Sequence, residues 1–340
     1  MKFDVVVGNP PYQESDGGAQ ASARPIYHKF YNLAEKVSKE YIDLIFPARW
    51  YVGGKGLDHF RNYMLSNKNI KLILDFQTPE DVFPRTNIRG GISIVLASKL
   101  YDNSEKGVNV VTCEKGKVLS DIQRPLKVDN LNIFIRNYES INILDKITYE
   151  KAEISTIASP RKPYGFGGNF IISKNFKITT YGMKNPVKIY GKKKIGYVEN
   201  ELIKNHREWI GGYKVFTARS NNIGTELNDD NLNTIIGKPN EIVTETYLVI
   251  GHDLNLTLNS ATNLSNYLKT KFTRFLISIA KSSQDASRSC YKFVPIQDFT
   301  SNSDIDWTKS IQKIDQQLYK KYALDQDEID FIENKVKPMD

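Results

Sequence analysis

Four apolar runs punctuate the front of the chain: Phe3–Gly8, Tyr41–Phe46, Ile70–Phe76 and Ile92–Ala97. Each is rich in Val, Ile or Leu without clear period-two alternation, the pattern of strands covered on both faces. Between them, Ile26–Ser38 places Ile26, Phe30, Leu33 and Val37 on one helical stripe, and Leu57–Leu65 reads as a second helix. The alternation predicts a doubly wound α/β arrangement. The link from Phe76 to Ile92 holds Pro79, Pro84, Gly90 and Gly91 and is too short for a helical crossover. It predicts a functional loop followed by an antiparallel last strand.

The texture changes after about residue 100. Short strands separated by Asp102-Asn103-Ser104 and Lys115-Gly116-Lys117 occupy residues 102–135, and a helix is expected over Tyr138–Ile147. Residues 155–260 are rich in Gly, Asn, Lys and Tyr, with brief β-like runs at Asn169–Ile172, Lys188–Tyr190 and Glu241–Ile250. One amphipathic helix is expected around Tyr267–Ala280, and two more over Trp307–Tyr322 and Asp327–Val336, the last capped by Asp325 or Asp327. Two domains are expected, residues 1–135 and 136–340.

Composition narrows the classes. A chain of 340 residues with 40% hydrophobic and 25% charged residues is an ordinary globular mixture, long enough for two cores. No run approaches the roughly 18 apolar residues of a membrane span, and Met1-Lys2-Phe3-Asp4 does not open a signal peptide, so a cytoplasmic location without membrane contact is expected. Cys113 and Cys290 are too few for a disulfide framework and lack zinc-ligand spacing. The net charge of +8 suits a phosphate-rich partner and equally suits plain solubility.

Candidate chemistry sits where the first strand ends, in "FDVVVGNPPYQ" at residues 3–13. Pro10 and Pro11 cannot donate to a sheet and fix two successive φ values, so the strand stops and Asn9 and Tyr12 stand on a stiff loop. Ligands of α/β sheets bind at such carboxyl ends. Taken alone, the tetrapeptide also reads as an ordinary strand-ending turn.

Two further blocks follow in order: "YIDLIFPARWYVGGKGLDHFRNYML" (41–65) and "LILDFQTPEDVFPRTNIRGGISIVLASK" (72–99). With the N-P-P-Y block they resemble the amino-methyltransferases that methylate the exocyclic nitrogen of adenine in DNA, specifically the adenine-N6 group related to the TaqI and Eco57I enzymes. The stretches "SSQDASRSCYKFVPIQDF" (282–299) and "IDWTKSIQKIDQQLYKKYALDQDEIDFIE" (305–333) resemble the target-recognition region of Eco57I-type enzymes. The resemblance implies the second half of a Rossmann-like methyltransferase sheet followed by a mixed α/β DNA target-recognition domain, within a restriction-modification system.

It also implies roles. An adenine amino group is a poor nucleophile because its lone pair is delocalised into the ring. Two acceptors aimed at its N–H bonds, Asn9 Oδ1 and the Pro10 carbonyl, favour a pyramidal nitrogen, and Pro11 stiffens the loop. The base must leave the duplex first, with Tyr12 stacking on one face and Phe83 of the Val82-Phe83-Pro84 loop from another side. Phe83 reads equally as a hairpin core residue, and Trp50 as core or pocket wall.

S-adenosylmethionine is the implied methyl donor. Its F-x-G-x-G turn precedes the N-P-P-Y block in the resembling group, and only eight residues precede it here. The one candidate, "YGFGGNF" (164–170), breaks the pattern and runs into apolar, strand-like Ile171 and Ile172. The donor site is therefore expected on an upstream segment or a partner chain. No metal site is expected, since Glu333-x-Lys335 lies on a helix without a partnering Asp on a strand.

Double-stranded DNA is the expected partner of the second half. Lys192, Lys193, Lys194, Arg207 and Arg219 lie in a basic stretch (184–219) that also holds Lys188 and Lys214, interleaved with Tyr190, Tyr197, Trp209 and Tyr213. Its plainer reading is a solvated basic face around a small β core. Gln284 and Arg288 in the loop Ser282–Ser289 are candidates for base-edge or phosphate contact. The rival function is a non-catalytic DNA-binding component with a relict N-P-P-Y loop.

Overall fold

The computed structural model describes residues 2–14, 23–85, 88–128, 131–147, 152–225, 229–230, 232–281 and 284–339. The chain divides into two compact units, Met1–Ile141 and Asn142–Asp340.

The first unit is built on a six-stranded mixed sheet. Its strands are β1 (Phe3–Gly8), β2 (Ser38–Pro47), β3 (Ile70–Phe76), β4 (Ile92–Ser98), β5 (Val108–Glu114) and β6 (Lys117–Arg124), in the order β1-β2-β4-β3-β5-β6. The pairs β1–β2 and β3–β5 are parallel, while β4 runs antiparallel to both its neighbours. The expected antiparallel strand is thus present, but it is not the last. Asp102 caps the one-turn helix α3 (Asn103–Lys106), and Gly107 at φ 70° turns the chain back beside β3, so β5 and β6 extend the same sheet.

One sheet face is covered. Ile42, Leu44, Phe46, Ile73, Val95, Ala97 and Val110 pack beneath helices α1 (Tyr27–Val37) and α2 (Asp58–Ser66) and the Ala48–Tyr51 turn. Tyr27, Tyr31, Trp50, Phe60 and Phe134 fill this side with aromatic contacts at centroid distances of 4.5–6.3 Å. Trp50 is fully buried there. Strand residues on the other face stay partly exposed, among them Ile45, Leu72, Leu74, Ile94, Leu96 and Val111. The expectation of cover on both faces therefore fails for the second one.

The boundary between the units falls within helix α4, Glu139–Ile147, and the second unit holds two three-stranded sheets. One joins β7 (Pro186–Gly191), β8 (Lys194–Glu199) and β11 (Glu241–Val243); the other joins β9 (Lys214–Ala218), β10 (Thr234–Gly237) and β12 (Tyr247–Ile250). The run read as one strand over Glu241–Ile250 thus divides between two sheets, and Asn169–Ile172 forms a 3-10 turn rather than a strand.

The helix expected around Tyr267–Ala280 is two helices, α5 (Leu258–Lys269) and α6 (Lys271–Ile279). They meet at Thr270, whose side chain caps α6, and the Asp315 carboxylate accepts from Lys271 N and Phe272 N at 3.0 and 2.9 Å. Helices α7 (Ile311–Lys321) and α8 (Gln326–Lys335) follow, α8 opened by an Asp325–Glu328 capping box. Cys113 and Cys290 are buried free thiols. Among the described residues no helix is long and apolar enough to cross a membrane.

Candidate functional site

Strands β1, β2 and β3 all finish at the end of the sheet where antiparallel β4 begins. Three connections leave from that end: Asn9–Tyr12, the Pro47–Tyr51 turn, and the Gln77–Gly91 loop that carries Phe83. The structure therefore gathers Asn9, Pro10, Pro11, Tyr12 and Phe83 at one end of one sheet. Strand β3 lies three places from β1, roughly 14 Å at ordinary strand spacing.

Asn9 and Pro11 are exposed, whereas Pro10 and Tyr12 are half-buried. Tyr12 packs on the aromatic core, and its carbonyl accepts from Ile26 N at 3.0 Å, which ties the loop to the start of α1. Burial raises the phenol above its ordinary range, with the neighbouring Asn9 amide pulling the other way. The hydroxyl itself is enclosed, with no hydrogen bond of ordinary geometry. Asn9 is thus an exposed residue beside the Tyr12 hydroxyl, on a proline-stiffened backbone.

The Phe83 loop is held at several points. Phe83 N donates to Pro79 O at 2.9 Å, Gly116 N donates to Asp81 Oδ2 at 3.0 Å, and Ala48 N donates to Gly91 O at 3.0 Å. Arg136 clasps both ends. Its Nε and Nη2 donate to the two oxygens of fully buried Asp75 at 2.8 and 2.5 Å, and Nη1 donates to Gly90 O at 2.9 Å. Phe83 itself is partly exposed. Nothing in the sequence reading pointed to Arg136 or Asp75, which stand 61 positions apart.

The Gly-rich stretch does not fit a methyl donor. Gly168 N donates to Glu245 Oε1 at 2.8 Å, so a carboxylate of the protein already occupies the amide that a donor's carboxylate would need. The 3-10 turn Gly168–Ile172 that follows is only five residues long. Glu333, of the E-x-K motif, bonds Lys271 Nζ at 2.6 Å and Tyr319 Oη at 2.9 Å, and no group of three metal-ligating side chains occurs among the described residues.

In the second unit, Lys192, Lys193 and Lys194 are exposed at the tip of the β7–β8 hairpin, and Arg288 is exposed in a short 3-10 turn. Arg207 is exposed but donates to the carbonyls of Asn200 and Ile203 at 3.1 and 3.3 Å. Arg219 pairs with Asp285 at 3.1 Å, and Gln284 Nε2 donates to Asn222 Oδ1 at 3.1 Å. Ser282 and the neighbouring residue 283 lie outside the described residues. Lys188 pairs with Glu241 at 3.0 Å, and Lys214 is wholly buried, donating to four backbone carbonyls at 3.0–3.2 Å. Tyr181, which the sequence reading passed over, is 96% exposed.

That end of the first unit's sheet presents an exposed amide on a Pro-Pro loop, beside a half-buried aromatic ring. Residues 1–83 match the model of the Eco57I restriction-modification methylase family. An uncharacterized adenine-specific methylase of Mycoplasma pneumoniae is 34% identical over 137 residues, 39% of this chain and 32% of that protein. The chain thus spans about a third of the curated relative it matches.

Among solved structures, the Type IIL restriction-modification enzyme MmeI in complex with DNA aligns with 97% of this chain and 56% of its own, at a TM-score of 0.55 and 10% identity. A nuclease-deletion mutant of the Type ISP enzyme LlaGI with a DNA substrate mimic covers 86% and 39%, at a TM-score of 0.40 and 10% identity. The likeness to MmeI is one of fold. The front of the chain carries the Eco57I restriction-modification methylase pattern, on a mixed α/β fold similar to that of such an enzyme.

Proposed function

We propose that this chain is the acceptor-binding part of a DNA adenine-N6 methyltransferase of a restriction-modification system, working with S-adenosylmethionine brought by another polypeptide segment. The observation that carries the reading is the placement of Asn9. It is an exposed residue at the carboxyl end of β1, inside the stretch that matches the methylase family. Asn9 Oδ1 and the Pro10 carbonyl accept the two N–H bonds of the amino group, and the prolines keep both acceptors fixed before the base arrives. Tyr12 and Phe83 stack on a base turned out of the duplex. Lys192, Lys193, Lys194, Arg207 and Arg288 contact phosphates, with Arg219 and Gln284 shaping the loop between them. MmeI, similar in fold, is solved with DNA.

The test is transfer of a tritiated methyl group to duplex DNA, by the chain alone and by the chain with the polypeptide encoded immediately upstream. Activity that needs both and disappears in Asn9→Ala supports the reading. DNA binding without methylation in either mixture would replace it with a non-catalytic DNA-binding component.

A further inference from the structure

Tyr181 is 96% exposed, and Ile172, Ile178 and Ile195 are 77%, 68% and 54% exposed. Single apolar side chains in solvent are ordinary, but these four fall on the β7–β8 hairpin and the segment leading into it. Between residues 172 and 195 the sequence carries seven lysines and no acidic residue. Lys188 is taken up by Glu241, while Lys174, Lys177, Lys184, Lys192, Lys193 and Lys194 are all exposed. An open aromatic set among that many cations matches a polyanion that also offers flat apolar rings.

The turn that carries Tyr181 is firmly mounted. On the way in, Lys177 N donates to Tyr197 O at 2.9 Å and Tyr197 N donates back to Lys177 O at 2.7 Å. Gly196 permits this approach, since a Cβ there would meet Lys177 O and Phe176 Cζ at 2.5 Å. On the way out, the Glu199 carboxylate accepts from Lys184 N and Asn185 N at 3.0 and 2.9 Å, and Asn185 Nδ2 donates to Glu201 at 2.8 Å. Between the legs, Met183 N donates to Thr180 O at 3.1 Å and Gly182 takes φ 75°, the backbone of a type II turn with Tyr181 at its corner. Both carboxylates are thus spent on holding the turn.

We infer that Tyr181 is a wedge, which enters the base stack of a bound duplex at the place a turned-out base has left, while Lys177, Lys184 and the hairpin-tip lysines hold the phosphates. The inference rests on the reading above for its ligand, duplex DNA with one base out of the stack, and takes nothing from the methyl chemistry. Opening a base step costs free energy, and a ring on a slack loop would spend its contact on ordering that loop instead. A ring already fixed at the corner of a pinned turn keeps the whole stacking contact for the bases. Charge selects among occupants: a second copy would set these lysines against their own kind, whereas a phosphate backbone neutralises them.

The experiment measures binding of the full chain, by fluorescence anisotropy, to two labelled duplexes of one mixed sequence, one intact and one with a single abasic position. Tighter binding to the abasic duplex by about tenfold is expected, lost in Tyr181→Ala and kept in Tyr181→Phe. The urea midpoint should stay in place for both variants, because the side chain is exposed. Salt dependence separates the two roles. Lys184→Ala should lower the slope of log affinity against log salt by about 1 and keep the abasic preference, whereas Tyr181→Ala should lose the preference at unchanged slope. No binding to either duplex, equal binding to both, or a preference that survives Tyr181→Ala overturns the inference. So does tighter binding to vesicles of phosphatidylglycerol and phosphatidylcholine than to DNA, or a homodimer dissolved by Tyr181→Ala. An abasic preference with the expected sensitivities but no methyl transfer keeps the wedge and removes the enzymatic reading; methyl transfer without the preference does the reverse.

Discussion

Because Asn9 is exposed and Pro10 holds the backbone without it, Asn9→Ala removes an acceptor without opening a cavity. In the two-component assay methyl transfer is expected to fall by about a hundredfold or more while the unfolding transition of the chain stays in place. A matching loss of stability would show that Asn9 is structural. Arg136 presents the opposite case. Removing it strands the Asp75 carboxylate in the core, so Arg136→Ala is expected to cost about 3–5 kcal/mol in urea unfolding; Arg136→Lys should cost less, because an ammonium still pairs with Asp75, but not nothing, because it cannot keep the bidentate clasp and Gly90 together. The two residues differ equally in how legible they were. Asn9 is announced by the prolines after it, a signal confined to four neighbours in sequence. Asp75 and Arg136 acquire meaning only when β3 and the segment after β6 meet. Lys188 and Lys214 make the same point for charge: both look like solvated basic residues in sequence, and both are consumed by internal partners.

At the level of elements, the apolar runs of the first unit were readable because each strand carries its own Val, Ile or Leu signal. Their cover was not, because an apolar face looks the same in sequence whether a helix of this chain or of another protects it. The break between α5 and α6 escaped for a related reason. Apolar periodicity runs through Thr270, and the reason to stop there is the Asp315 carboxylate supplied from α7. Gly91 shows a turn whose demand can be tested. Its φ is +93°, and a Cβ there would meet Phe76 O at 2.5 Å and Arg136 Nη2 at 2.4 Å. Gly91→Ala is expected to destabilise the first unit by roughly 2 kcal/mol or more, read as a lower urea midpoint at unchanged slope. It should also loosen the Phe83 loop, because the same guanidinium that would be displaced holds Gly90.

On the scale of the whole molecule, four of the buried ionisable groups among the described residues of the second unit, Asp230, Asp315, Lys214 and Lys281, set its response to pH between about 4 and 10.5. Burial pushes Asp230 and Asp315 up from 3.8 to about 6, and brings Lys214 and Lys281 down from 10.5 to about 8. A carboxyl whose folded value is raised keeps a proton that the unfolded chain has lost, so stability falls as pH climbs from about 4 to 6. A lysine whose folded value is depressed has lost a proton that the unfolded chain keeps, so stability rises again from about pH 8 towards 10.5. Between these windows the unit bears the full cost of all four charges, and a broad minimum is expected. Each lysine contributes up to about 1.4 kcal/mol per pH unit on the rising limb. Exchange of the slowest amides in β9 and α6 of the full chain, measured from pH 4 to 9.5 at fixed ionic strength, reads the opening free energy of this unit. Lys214→Met should flatten part of the rise above pH 8 and lower stability throughout, since four carbonyls lose their donor. Asp315→Asn should flatten part of the fall between pH 4 and 6 and leave the alkaline limb untouched. A wild-type profile without a minimum would mean that water reaches these groups in the folded state and that their burial is not the cause of their displacement.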